Sequence, residues 1–96
     1  MNITKLTASD GFEFESYLVK PPSKPRGAIV VLQEIFGVNS HIRSICKRLV
    51  ENGYEVIAPA IFDRIQPSFE SGYTSEEVAR AKSLMQSFKI DTALLD

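Results

Sequence analysis

The residues best placed to do chemistry lie in one short stretch, Gln33-Glu34-Ile35-Phe36-Gly37-Val38-Asn39, between an apolar run and a segment of helical periodicity. A loop at the C-terminal end of a parallel strand, just before a helix, turns backbone N–H groups toward the crevice where open α/β sheets bind ligands. Within it, Glu34 stands beside the apolar pair Ile35-Phe36. A carboxylate there is either paired, tuned in its ionisation, or turned out to solvent as an ordinary loop residue. On the residues alone, Ile35 reads as the first core position after a strand, and Phe36 as a pocket wall or as core packing. Arg80, the one arginine of a later helical stretch, reads from the residues alone as an exposed side chain paired with Glu76 or Glu77.

Other reactive types are read out of the chemistry. Cys46 shares an apolar stripe with Ile42, Leu49 and Val50, which makes it a small buried hydrophobe and a poor nucleophile. His41 falls in a first helical turn with no second histidine or Asp partner at a recognisable spacing, and is read as a surface or capping residue. No G-x-S-x-G or G-x-C-x-G elbow occurs among the five glycines, so neither a nucleophile nor the other members of a triad can be named.

The elements that must position the turn follow from periodicity. Residues 1–20 read as a hairpin about Ser9-Asp10-Gly11, and the proline-rich residues 21–26 as a surface linker. Residues 27–59 read as a βαβ unit. Its first strand, Ala28 to Leu32, is continuously apolar and is expected to be buried on both faces. A helix from Ser40, capped by Asn39 or Ser40 and ended at Gly53, precedes a strand from Tyr54 to Ala58 stopped by Pro59. Residues 60–89 are an aperiodic excursion and a second helix, with a Thr74/Glu77 capping box and a stripe of Val78, Ala81, Met85 and Phe88. Residues 90–96 open a further element.

Charge and composition narrow the function classes. Eleven Lys and Arg balance twelve Asp and Glu in 96 residues, so no charge excess points to nucleic acid or an anionic membrane. No apolar run approaches the ~20 residues of a membrane span. A single cysteine excludes an internal disulfide and fits a cytoplasmic protein. No metal and no cofactor is called for.

The run Val30 to Asn39, followed by Ile42-Arg43 and Gly53-Tyr54, resembles the dienelactone hydrolases (carboxymethylenebutenolidases). In that family a strand delivers a QEIFG turn, a helix follows with an arginine near its start, and a GY pair leads into a strand ending in a PDLF-like stretch and an arginine. Here that stretch is Ala58-Pro59-Ala60-Ile61-Phe62-Asp63-Arg64, with Ala60 in place of the usual Asp. The likeness covers essentially the whole chain. It implies the N-terminal part of an α/β-hydrolase fold whose parent hydrolyses a small lactone or ester through a cysteine or serine nucleophile.

It further implies that the Ile35 N–H is one oxyanion-hole donor and that Glu34 contacts the resting nucleophile and helps switch it between thiol and thiolate. Arginines of the helix after the excursion hold the substrate carboxylate in the family, which nominates Arg80. Aligning Phe88 shifts its register by about two residues, or roughly 200° around the helix. All three triad members lie downstream in the family, so the 96 residues are expected to be a truncated piece without turnover of its own. The competing expectation is a non-catalytic interaction module, because two parallel strands and a hairpin leave a hydrophobic sheet edge that invites self-association. A nucleotide-binding βαβ unit is disfavoured, because QEIFGVN lacks a glycine-rich phosphate loop.

Overall fold

Ser9-Asp10-Gly11 turns the chain as its composition demands: Gly11 takes φ +90°, and its N–H donates to the Ala8 carbonyl at 3.0 Å. Gly11 has no Cβ to crowd that left-handed conformation. The strands either side, β1 (Asn2–Thr7) and β2 (Glu13–Val19), pair antiparallel with Ile3 opposite Tyr17. The computed structural model that shows this describes residues 2–93.

The βαβ unit consists of β3 (Ala28–Val30), α1 (Ser40–Glu51) and β4 (Glu55–Pro59), with β3 and β4 parallel. The hairpin joins it through β2, which runs antiparallel to β4, so the sheet is mixed with order β1-β2-β4-β3. Asn39 caps α1, its side-chain oxygen accepting from the Ile42 N–H at 3.2 Å. Gly53, at φ +94°, turns the chain out past the helix end.

One face of the sheet packs on α1 to form a core of Tyr17, Ile42, Cys46, Val56 and Ala58. Cys46 is fully enclosed there, and burial pushes its thiol pKa up.

Burial of β3 on both faces is not what the structure shows. Val30 is 61% and Leu32 66% exposed, whereas Val31 packs on the α1 core. The reason is the period of two: alternate residues face α1, and among the described residues nothing covers the other set.

Beyond β4, residues 60–73 form a chain of turns. Their order comes from polar groups aimed at the backbone, which leave no hydrophobic period. The buried Asp63 carboxylate accepts the Glu15 N–H at 2.7 Å and the Ser68 N–H at 2.9 Å. Arg64 grips Asp10 through both guanidinium nitrogens at 2.9 and 3.0 Å and lies over the Phe12 ring, tying the excursion to the hairpin turn. This pairing, with the Phe12 N–H, lowers the Asp10 pKa.

Helix α2 (Ser75–Ser87) starts at the expected capping box of Thr74 and Glu77. Glu77 also accepts the Gly72 N–H at 2.7 Å, and that bond, then the Thr74 hydroxyl, lowers its pKa. Its apolar stripe is corrected at one position: Leu84 is buried and Met85 is 47% exposed. Neighbouring helical positions lie about 100° apart, and the face is set by what α2 packs on, the excursion rather than the sheet. Phe62, which is buried, meets Phe88 just past the helix at 5.5 Å between ring centres. A short α3 (Ile90–Ala93) follows, and the rest of the element expected over 90–96 lies outside the described residues.

The excursion returns to the β3–α1 turn at Gly37. A Cβ added there would lie 2.1 Å from the Phe69 carbonyl oxygen, and Gly37 has φ +79°.

Two outcomes follow from this packing. Gly37→Ala introduces both a backbone clash and an αL conformation, and is expected to destabilise the fold by about 1–3 kcal/mol, read as a lower denaturation midpoint. Cys46 should react with a thiol reagent far more slowly in buffer than in denaturant. Equal rates, with circular dichroism showing a folded chain, would place Cys46 off the helix face facing the sheet.

Candidate functional site

The turn after β3 is built from Gln33 to Gly37. The Gly37 N–H donates to the Glu34 carbonyl at 3.1 Å, closing a four-residue turn with Ile35 and Phe36 at its centre. In such a turn the two central N–H groups have no partner inside the turn itself. Among the described residues no hydrogen bond engages the Ile35 N–H. The Gln33 carboxamide donates to the Glu34 carbonyl at 3.0 Å, so that oxygen is satisfied twice.

Residues 69–73 clamp this turn from outside. Gly37 bridges Glu70, and the Ser71 N–H donates to the Phe36 carbonyl at 2.9 Å. Asn39, 4% exposed, spends its oxygen on the α1 cap and its nitrogen on the Ser71 carbonyl at 3.0 Å and the Tyr73 hydroxyl at 3.2 Å. Arg43, one turn into α1, donates to the Val38 carbonyl at 2.8 Å and to Glu70 at 3.1 and 3.4 Å. The turn is therefore held at its carbonyls and through Gly37, while the amide at its tip is left free to donate.

Each residue singled out from sequence has a definite place. Glu34 is exposed, at the first position of the turn. Ile35 and Phe36 are half-buried, and Phe36 meets the Tyr73 ring edge-on at 4.6 Å. Arg80 is exposed on α2 and donates to the Gln66 side chain. Its expected pairing with Glu76 or Glu77 is corrected: Glu77 is committed to the Gly72 and Thr74 groups that cap its own helix. The turn gathers Glu34, Ile35 and Phe36 together, and Arg80 belongs to the excursion.

Three contributors lacked an assigned role from sequence. Arg43 was visible only as part of a family motif, and Glu70 and Tyr73 had no signal, because each acts on a partner about thirty residues away. A pocket of about 220 Å³ lies between the hairpin and α1, lined in part by Tyr17, Val38, Arg43, Ala58 and Phe69. Glu34, Ile35 and Phe36 do not line it, so it is not where the turn's amide would meet a ligand. Among the described residues no cluster of three His, Cys, Asp or Glu side chains could hold a metal ion, and no helix is long and apolar enough to cross a membrane.

Comparison with known proteins bears on the same region. The model of the dienelactone hydrolase family matches residues 14–95. A Synechocystis protein named "Putative carboxymethylenebutenolidase" is 42% identical over 77 residues, which is 79% of this chain and 31% of that protein. An Azospirillum brasilense protein of the same name is 34% identical over 95% of this chain and 40% of its own length. The crystal structure titled "Putative Dienelactone Hydrolase" from Klebsiella pneumoniae superposes with a TM-score of 0.73 at 30% identity, covering 99% of this chain and 40% of that one. The chain thus spans less than half the length of each of these relatives. With its sheet, its α1 crossover and the turn between them matched in this way, the chain belongs to the dienelactone hydrolase family, and its elements are part of an α/β-hydrolase fold.

Proposed function

We propose that these residues supply half of the oxyanion hole of a hydrolase that opens a small lactone or ester. One observation carries the reading: the turn at the C-terminal end of β3 is clamped by Gly37, Asn39 and Arg43 while the Ile35 N–H is engaged by no partner among the described residues. As a nucleophile adds to the substrate carbonyl, negative charge moves onto its oxygen. A preset N–H binds that charge better than the starting carbonyl, and losing one such donor raises the barrier by roughly 3 kcal/mol. The second donor would be the N–H following a cysteine or serine nucleophile, for which these 96 residues contain no elbow motif.

Glu34 heads the same turn, exposed and therefore accessible to a neighbouring thiol. Its role in this reading is to accept the thiol proton and so modulate the nucleophile. Phe36 forms a wall on the substrate side. Arg80 is the carboxylate-binding candidate, since its hydrogen-bond partner is the neutral Gln66 and among the described residues no acid neutralises it. A cytoplasmic setting fits the one buried thiol.

A second reading, an interaction module working through a sheet edge, is favoured by the exposure of Val30 and Leu32 on β3 and just after it.

Two measurements test the catalytic reading. The purified 96-residue chain should release no alcohol from a chromogenic ester above the uncatalysed rate, because a donor and a carboxylate do not replace a nucleophile and its base. Burst release by contaminant-free chain would overturn it. In a polypeptide joining these residues to a cysteine nucleophile, Glu34→Gln should shift the pH profile of thiol alkylation and lower turnover at least tenfold, a barrier increase of about 1.4 kcal/mol. The unfolding midpoint should barely move. Unchanged thiol titration with full turnover removes Glu34 from the mechanism.

A further inference from the structure

Tyr73 meets the β3–α1 turn at both ends of its side chain. Its hydroxyl accepts from the Asn39 side-chain N–H at 3.2 Å, and its ring stands edge-on to Phe36, 4.6 Å between centres and 73° between planes. Aromatic pairs favour that arrangement, the positive edge of one ring against the negative face of the other. Asn39 holds its end firmly because its amide has a single workable orientation. The oxygen accepts from the Ile42 N–H, and the nitrogen donates to the Ser71 carbonyl at 3.0 Å as well as to Tyr73. Turning the amide over would set its oxygen against the Ser71 carbonyl and its N–H groups against the Ile42 N–H.

The backbone on either side of Tyr73 is tied as well. The Ser71 N–H donates to the Phe36 carbonyl at 2.9 Å, the Gly72 N–H to the Glu77 carboxylate at 2.7 Å, and Thr74 caps α2. Phe36 is thereby gripped twice by one segment, at its carbonyl by Ser71 and at its ring by Tyr73. The first contact orients the backbone of the turn. The second orients the side chain that stands next to the Ile35 amide.

We propose that Tyr73 is a positioning residue that fixes the Phe36 ring beside the Ile35 amide and so sets the size of acyl group or lactone ring that the site admits. The inference rests on the catalytic reading of the turn and adds to it a determinant of substrate size. A phenylalanine free to change rotamer sweeps the space next to the amide, whereas one held by Tyr73 is a fixed wall. Such a wall contributes to binding groups that fit against it and rejects those that reach past it. The oxyanion donor, by contrast, serves every ester alike, because the charge it binds develops on the same carbonyl oxygen. Tyr73 therefore acts, through Phe36, on which substrate is turned over and leaves the chemical step common to all of them unaltered.

With these residues joined to a cysteine nucleophile, an acetyl and a benzoyl ester of one alcohol read the wall as a ratio of their kcat/KM values. Tyr73→Ala should lower the preference for the acetyl ester by about tenfold, the lower end of what a hydrophobic pocket contributes to discrimination. Turnover of the acetyl ester at saturation should change little. Tyr73→Phe, which keeps the ring and loses the Asn39 bond, should move the ratio the same way by less. In the 96-residue chain itself, the Phe36 ring proton resonances should shift toward their unfolded positions in Tyr73→Ala, with an unfolding midpoint showing that the variant is folded. Ring resonances that stay in place in the folded variant overturn the positioning of Phe36. A ratio unchanged in both variants, whether the two esters keep their rates or lose them equally, overturns the role in size selection and leaves the Ile35 and Glu34 reading standing. Absence of turnover in the unsubstituted polypeptide overturns the catalytic reading itself, and the inference with it.

Discussion

The approach of the Phe69 carbonyl to Gly37 is the contact on which the candidate site depends. It requires a residue without a Cβ and with a positive φ, and Gly37 meets both conditions. Because the backbones come that close, Glu70 bridges Gly37 and Ser71 reaches the Phe36 carbonyl. A bulkier residue would hold the excursion off, and the turn would lose its outer wall. The geometry of the Ile35 amide is thus decided by a segment more than thirty residues later in the chain.

That clamp also explains the use of Asn39 and Arg43. A helix N-terminus leaves N–H groups to satisfy, and Asn39 satisfies one with its oxygen while its nitrogen holds Ser71 and Tyr73. Arg43 joins the Val38 carbonyl to the Glu70 carboxylate. Each of these side chains serves the local helix or turn and the distant excursion at once, so the start of α1 and the position of the turn form one unit. An exposed ion pair such as Arg43 with Glu70 adds little stability by itself. Its significance is directional, since a guanidinium bound in two directions orients the turn.

The two readings of the chain concern neighbouring parts of one strand. β3 ends in the turn that carries Ile35, and its outer edge is where a further strand would lie. A strand on that edge would therefore stand close to Glu34, the residue assigned to thiol control.

Much of this was legible in the residues. The hairpin, the α1 crossover, the Asn39 cap, the Thr74/Glu77 capping box and the burial of Cys46 depend on turn chemistry and periodicity within a few residues, which one sequence displays. The QEIFG turn was legible as a likeness, and its position between strand and helix followed from the pattern around it. Tertiary structure alone decided the rest. An apolar run such as Ala28 to Leu32 states that its residues can be buried, and among the described residues no element covers its second face, so Val30 and Leu32 stand exposed. Leu84 replaced Met85 in the core because α2 faces the excursion, and Arg80 found Gln66 rather than a carboxylate on its own helix. Asp63 and Glu15, Arg64 and Asp10, Arg43 and Glu70 meet across separations of 48, 54 and 27 residues. No local period encodes such meetings, because they exist only once the sheet and the excursion have brought the chain back on itself.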